Sequence, residues 1–110
     1  MTHTPLAQQQ LAAMTAEYQA RREALRRDLS QTRSADFAEQ ASERENDDVL
    51  NALLLETEQT LILLQHAQER LASGEYGTCR RCGEAIQTAR LEAMPLAEWC
   101  IACAEQAEQQ

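Results

Sequence analysis

Four cysteines stand near the end of the chain as Cys79-x2-Cys82, seventeen intervening residues, then Cys100-x2-Cys103. A thiolate pair with two residues between sits on one tight turn. Two such turns can present four sulfurs to one ion at roughly 2.3 Å, the tetrahedral arrangement that Zn²⁺ takes. Gly83, directly after the second cysteine, suits the turn geometry of such a knuckle. Four sulfur ligands close the coordination sphere and leave no position for water, so the spacing predicts one structural Zn²⁺ held by Cys79, Cys82, Cys100 and Cys103. A thiol redox pair or disulfides are the competing readings. His3 and His66 are remote in sequence and are read as solvated surface residues. The segment of about 35 residues around the cysteines has few apolar groups, chiefly Tyr76, Ile86, Leu91, Met94, Leu96, Trp99 and Ile101. Metal binding, apparently about 10–16 kcal/mol in zinc-finger peptides, then supplies much of its folding free energy.

What precedes the cysteines is helical in composition: Ala, Leu, Glu, Gln and Arg dominate, and aromatic residues are limited to Tyr18, Phe37, Tyr76 and Trp99. Between Pro5 and Thr32 the apolar residues Leu11, Met14, Tyr18, Leu25 and Leu29 recur at helical spacing, with Pro5 suited to a first turn. A second stripe, from about Ala38 to Leu71, runs through Leu50, Leu53, Thr57, Leu61, Leu64 and Leu71, and Ser73-Gly74 stops it. Neither stripe can be left in water. The short polar break at 33–36 lets the two helices fold back as an antiparallel hairpin, with Leu25 opposite the region of Asn46. The expected fold is therefore mainly α: a long antiparallel helical hairpin, or coiled coil, over residues 1–73 with an acidic tip near 33–38. A small four-cysteine zinc-finger module with a short C-terminal helix follows over residues 74–110. An elongated monomer is expected, with side-by-side pairing of two hairpins as the alternative.

Charge is distributed unevenly. Residues 34–48, SADFAEQASERENDD, carry six carboxylates and one arginine. Arg21, Arg22, Arg26 and Arg27 lie late in the first helix, while Glu39, Glu43, Glu45, Asp47 and Asp48 lie early in the second, so opposite charges are expected to meet across the hairpin. The acids from 39 to 48 are read chiefly as solvating a helix start and favouring its dipole. Net charge is -8, and all ten basic residues are arginine. Such a chain is poorly suited to sequence-independent binding of a phosphate backbone. The first residues carry no secretory pattern and the longest aliphatic run, Leu61 to Leu64, cannot cross a membrane, so a cytoplasmic protein is expected. Without a Gly-rich phosphate loop, a nucleophile elbow or a His-centred constellation, no enzyme is expected.

The phrases Gly74-Glu75-Tyr76-Gly77, Cys82-Gly83-Glu84 and Arg90-Leu91-Glu92-Ala93 with Pro95, set in this hairpin-plus-cysteine plan, resemble the DksA/TraR family of bacterial transcription regulators. The likeness covers about residues 31–106. It implies direct binding to RNA polymerase, with the hairpin tip passing through the secondary channel, modulation of initiation, and no direct contact with DNA. In the family the tip reads Asp-x-x-Asp-x-Ala. Here Asp36 and Ala38 match, Arg33 replaces the first Asp, and Asp36, Phe37 and Ala38 are the implied partner-binding tip. The resemblance also brings in the alarmone ppGpp and the stringent response. The family's basic residues for ppGpp fall on Leu63 and Met94 in this chain, so weak or absent ppGpp dependence is expected. The rival reading is a zinc-dependent structural or nucleic-acid-binding stress protein, suggested by Arg80-Arg81 inside the first cysteine pair. Against it, residues 75–110 hold six acids and three arginines.

Overall fold

The computed structural model describes residues 4–31 and 37–109, with side-chain surroundings for 6–31 and 39–109. The chain is a helical hairpin, α1 (Thr4–Leu29) and α2 (Phe37–Ser73), followed by two short helices, α3 (Thr88–Ala93) and α4 (Ile101–Glu108). An isolated antiparallel bridge pairs Thr78 with Ala85. Of the expected tip, Asp36 lies outside the described residues, and only the helical backbone of Phe37 and Ala38 lies within them.

Two compact units divide the chain, Thr15–Ile62 and the combination of Met1–Met14 with Leu63–Gln110. In the first, Leu25 and Thr57 are buried. Leu29, Leu50, Leu54 and Leu61 are half-buried. Thr57 satisfies its hydroxyl by donating to the Leu53 carbonyl at 2.7 Å, which lets a polar residue occupy a seam position. Leu53, expected in the stripe, is instead 44% exposed, and Leu54 turns inward. The reason lies in the period. Positions 50, 54, 57 and 61 alternate steps of four and three residues, as the two seam positions of a heptad do, whereas 50, 53, 57 and 61 place two four-residue steps in succession.

The register also differs from expectation. Arg26, assigned by charge to the acids of 39–48, pairs with Glu58 at 3.7 Å. α1 ends at Leu29 and α2 begins at Phe37. Exposed charges are worth too little to fix a register. Arg21 reaches back along its own helix to Glu17 at 2.9 Å and lies over the Tyr18 ring at 4.4 Å. These pairs are solvent-exposed, and each contributes about 0–1 kcal/mol.

In the second unit Leu11, Leu64 and Ala67 have no exposed surface. Here α2 ends in a Schellman motif. Gly74, at φ +79, donates to the Leu71 carbonyl at 3.3 Å, and Glu75 donates to that of Arg70 at 2.8 Å. Only glycine adopts that left-handed backbone without strain, and the turn directs the chain into the cysteine segment.

Candidate metal centre

The first cysteine pair sits on a knuckle closed by backbone bonds. Cys79 donates to the Glu84 carbonyl at 2.8 Å, Gly83 to that of Cys79 at 2.9 Å, and Ile86 to that of Gly77 at 2.7 Å. Gly83 takes φ +80, which tightens the turn, as the sequence predicts. The second pair belongs to α4: Cys100 is its N-cap and Cys103 lies in its first turn. Cys79 and Cys103 are buried with Ile86 and Leu91, and Tyr76, Ala97 and Cys100 pack against them.

This folding brings all four sulfurs within 4.8 Å of one another. The Cys82 and Cys100 sulfurs are 3.9 Å apart. A regular tetrahedron of sulfurs about 2.3 Å from a central ion has edges of about 3.8 Å, so the cluster has the dimensions of a Zn²⁺ site. Disulfides, at about 2.05 Å, are not formed. Burial pushes the Cys79 thiol up, but backbone N–H groups of Cys82, Cys100 and Arg81 donate to its sulfur and bring it down to about 6. Burial, reinforced by the neighbouring thiols, pushes Cys103 up to about 12. Close-set thiols cannot all ionise without a cation between them, so loading the site releases protons.

Around the sulfurs lies a brace that the sequence did not announce. The Arg70 side chain, on the last turns of α2, donates to Glu98 at 2.7 Å, and Arg80 reaches the same carboxylate at 3.3 Å. The Arg80 amide also donates to the Glu98 carbonyl at 2.9 Å. Arg81 donates to the Cys103 carbonyl at 3.1 Å and Arg90 to that of Trp99 at 2.9 Å. The arginines of this segment therefore tie the two cysteine pairs together. Arg70 and Glu98 are 28 residues apart, and no local pattern in the sequence links them.

Tyr76 donates its hydroxyl to the Pro95 carbonyl at 2.9 Å. Tyr76→Phe is expected to destabilise the zinc-loaded protein by about 0.5–1.5 kcal/mol, measured by denaturant unfolding at pH 7. Burial raises the Tyr76 pKa, partly offset by the nearby Arg70 charge. The folded state thus holds the proton more tightly than the unfolded chain. This contribution is complete below about pH 10 and is lost as pH rises from there through the folded value. Tyr76→Phe should flatten that alkaline slope, and an unchanged slope would assign it elsewhere.

A helical hairpin joined to a compact four-thiol knuckle defines a class, the C4 zinc-finger hairpin proteins. Residues 74–109 match the prokaryotic dksA/traR C4-type zinc finger, and residues 8–71 match the DnaK suppressor protein-like N-terminal domain. The chain belongs to the DksA/TraR family. The structure of transcription factor DksA2 from Pseudomonas aeruginosa is similar, with a TM-score of 0.90 and 34% identity, covering 99% of this chain and 85% of that one. The DnaK suppressor protein of Agrobacterium tumefaciens C58 has a TM-score of 0.61 and 33% identity, covering 93% and 91%. An uncharacterized protein of Aquifex aeolicus is 43% identical over 51 residues, 46% of this chain. That match spans only 35% of the Aquifex protein, about a third of its length. Zinc is thus the cofactor that both the family and the thiol geometry specify. Among the described residues, no helix is long and apolar enough to cross a membrane.

Proposed function

We propose that this protein regulates transcription initiation by binding RNA polymerase directly, its hairpin entering the secondary channel. The observation that carries the reading is family membership along both parts of the chain, residues 8–71 and 74–109. Residues 1–73 serve as the inserted hairpin with its tip near 33–38, and residues 74–110 as the folded base. Cys79, Cys82, Cys100 and Cys103 hold one structural Zn²⁺, which supplies folding free energy and no chemistry, since four thiolates leave it no open position. The protein works as a cytoplasmic monomer, where polymerase is.

At the tip, Asp36 carries the effect and Phe37 and Ala38 shape its approach. A carboxylate brought near the polymerase catalytic centre competes for hydrogen bonds around an Mg²⁺ whose own ligands are oxygens. α2 alone, at 37 residues, is about 55 Å long, enough for a deep channel. Leu63 and Met94 are apolar and about half exposed, at 47% and 51%, and offer no charge to ppGpp. Direct nucleic-acid binding is disfavoured because Arg80 is paired with Glu98 and the chain carries a net charge of -8.

The test is capture of core RNA polymerase by purified protein, followed by transcription from a responsive promoter with wild type and Asp36→Asn. The substitution removes charge at nearly constant shape. Binding should persist within about threefold while regulation is lost, and unchanged regulation would remove Asp36 from the mechanism. Replacing Glu43, Glu45, Asp47 and Asp48 together is the control; a greater regulatory loss there, with helicity retained, would move the working site along α2.

A further inference from the structure

We infer that a cleft between the first turns of α1 and one side of α3 binds a small organic cation, an apolar body carrying a single ammonium group. The cleft holds about 140 Å³. Leu6, Ala7, Tyr76 and Leu91 form its apolar lining, and of these Ala7 and Leu91 are buried. An enclosed apolar cavity of roughly 150 Å³ takes up benzene, so one ring or a short aliphatic chain fits this space. Gln10, Thr88 and Glu92 complete the lining. Helical spacing gathers these groups: Thr88, Leu91 and Glu92 stand at i, i+3 and i+4 on α3, while Gln10 stands three and four residues after Ala7 and Leu6 on α1.

The sign of the ligand follows from Glu92. Among the described residues its carboxylate has neither an ion pair nor a hydrogen bond. The arginines of this compact unit are engaged elsewhere, Arg70 and Arg80 at Glu98, Arg81 at the Cys103 carbonyl and Arg90 at that of Trp99. A fixed anion therefore stands uncancelled beside an apolar floor. An ammonium offers three N–H donors, and the Glu92 carboxylate, the Gln10 amide oxygen and the Thr88 hydroxyl oxygen are three acceptors. Tyr76 commits its hydroxyl proton to the Pro95 carbonyl and contributes no donor that an anion could use. A phosphate or carboxylate ligand would meet Glu92 as a like charge, on a chain whose net charge is already -8.

The site is independent of polymerase binding, and its occupant would bridge α1 to α3 and stabilise the folded unit by mass action. The test uses the full zinc-loaded protein, ¹⁵N-labelled, at pH 7. It is titrated with benzylamine, charged at that pH, and with benzyl alcohol, a neutral molecule of nearly the same shape. Benzylamine should give saturable shifts confined to the amides of the lining residues, with benzyl alcohol at least about tenfold weaker. Glu92→Gln, at an exposed position, should weaken benzylamine at least about tenfold and leave benzyl alcohol unchanged. Leu6→Ser, at a residue 68% exposed, should weaken both ligands. Equal affinity for the two ligands, or benzylamine binding that survives Glu92→Gln, overturns the assignment of a cation. Unchanged binding in Leu6→Ser overturns the apolar subsite. Absence of saturable shifts at the lining residues up to about 20 mM, a generous limit for so small a ligand, overturns the site itself.

Discussion

Removing the metal, or replacing any one of Cys79, Cys82, Cys100 and Cys103 with serine, is expected to unfold residues 74–109 while most helical signal survives. The hydrophobic content of this segment is small: Cys79, Ile86, Leu91 and Cys103 are its buried cluster, and two of those four side chains belong to the thiol site itself. With a structural zinc contributing apparently about 10–16 kcal/mol, no residual packing of that size can replace it. The helices lost are α3 and α4, 6 and 8 residues against 26 and 37 in α1 and α2. Far-ultraviolet dichroism should therefore fall by less than about a fifth, since 14 of 77 helical residues melt. Trp99 emission should shift red in parallel with release of one zinc per chain. Protein that gave up its zinc yet kept native Trp99 emission would show that the metal is dispensable.

Replacing Glu98 with alanine is expected to give the next largest loss, about 3–5 kcal/mol, toward the lower figure because the Glu98 side chain is 31% exposed. Arg70 is 8% exposed, and its Nη2 has no hydrogen-bond partner among the described residues, so Glu98 is the carboxylate on which its charge depends. Truncating the acid strands a buried cation. Replacing both residues with leucine removes the stranded charge and should recover most of the loss, as buried ion pairs rarely outdo apolar packing. Denaturant unfolding of zinc-loaded single and double variants measures the coupling. Additive losses would mean that Arg70 and Glu98 stabilise the fold independently.

The four-thiol centre was fully legible, because two short ligand spacings and a glycine specify it through local geometry. Helices α1 and α2 were legible from period and breakers, Pro5 at one end and Gly74 at the other. Leu53 was mistaken for a seam residue because three consecutive leucines, 53 to 55, offer more than one phase, and only the strict alternation of four- and three-residue steps selects Leu54. The Arg26 assignment failed because a charge census carries no register: many acids were equivalent on paper, and Arg26 pairs with Glu58. The Arg70–Glu98 brace was illegible for another reason. Contacts far apart in sequence depend on how the backbone closes, and an arginine at a helix end has a sufficient local explanation in the dipole. Trp99 counts among the few apolar groups of the cysteine segment, yet it is substantially exposed, with the Arg81 guanidinium 5.7 Å from its ring centre.

One residue, Arg70, bears on how this molecule can be recombined. Its carbonyl closes the end of α2 by accepting from both Glu75 and Tyr76, while its guanidinium holds Glu98. Gly74 looks like a natural splice point, since the zinc-finger match begins there. A chimera joined at that glycine would nonetheless give the transplanted segment a foreign residue 70 and leave Glu98 without its cation. Exchangeable cassettes from this chain should therefore start upstream of Arg70, and the effective seam between modules lies inside a continuous helix rather than at the turn that ends it.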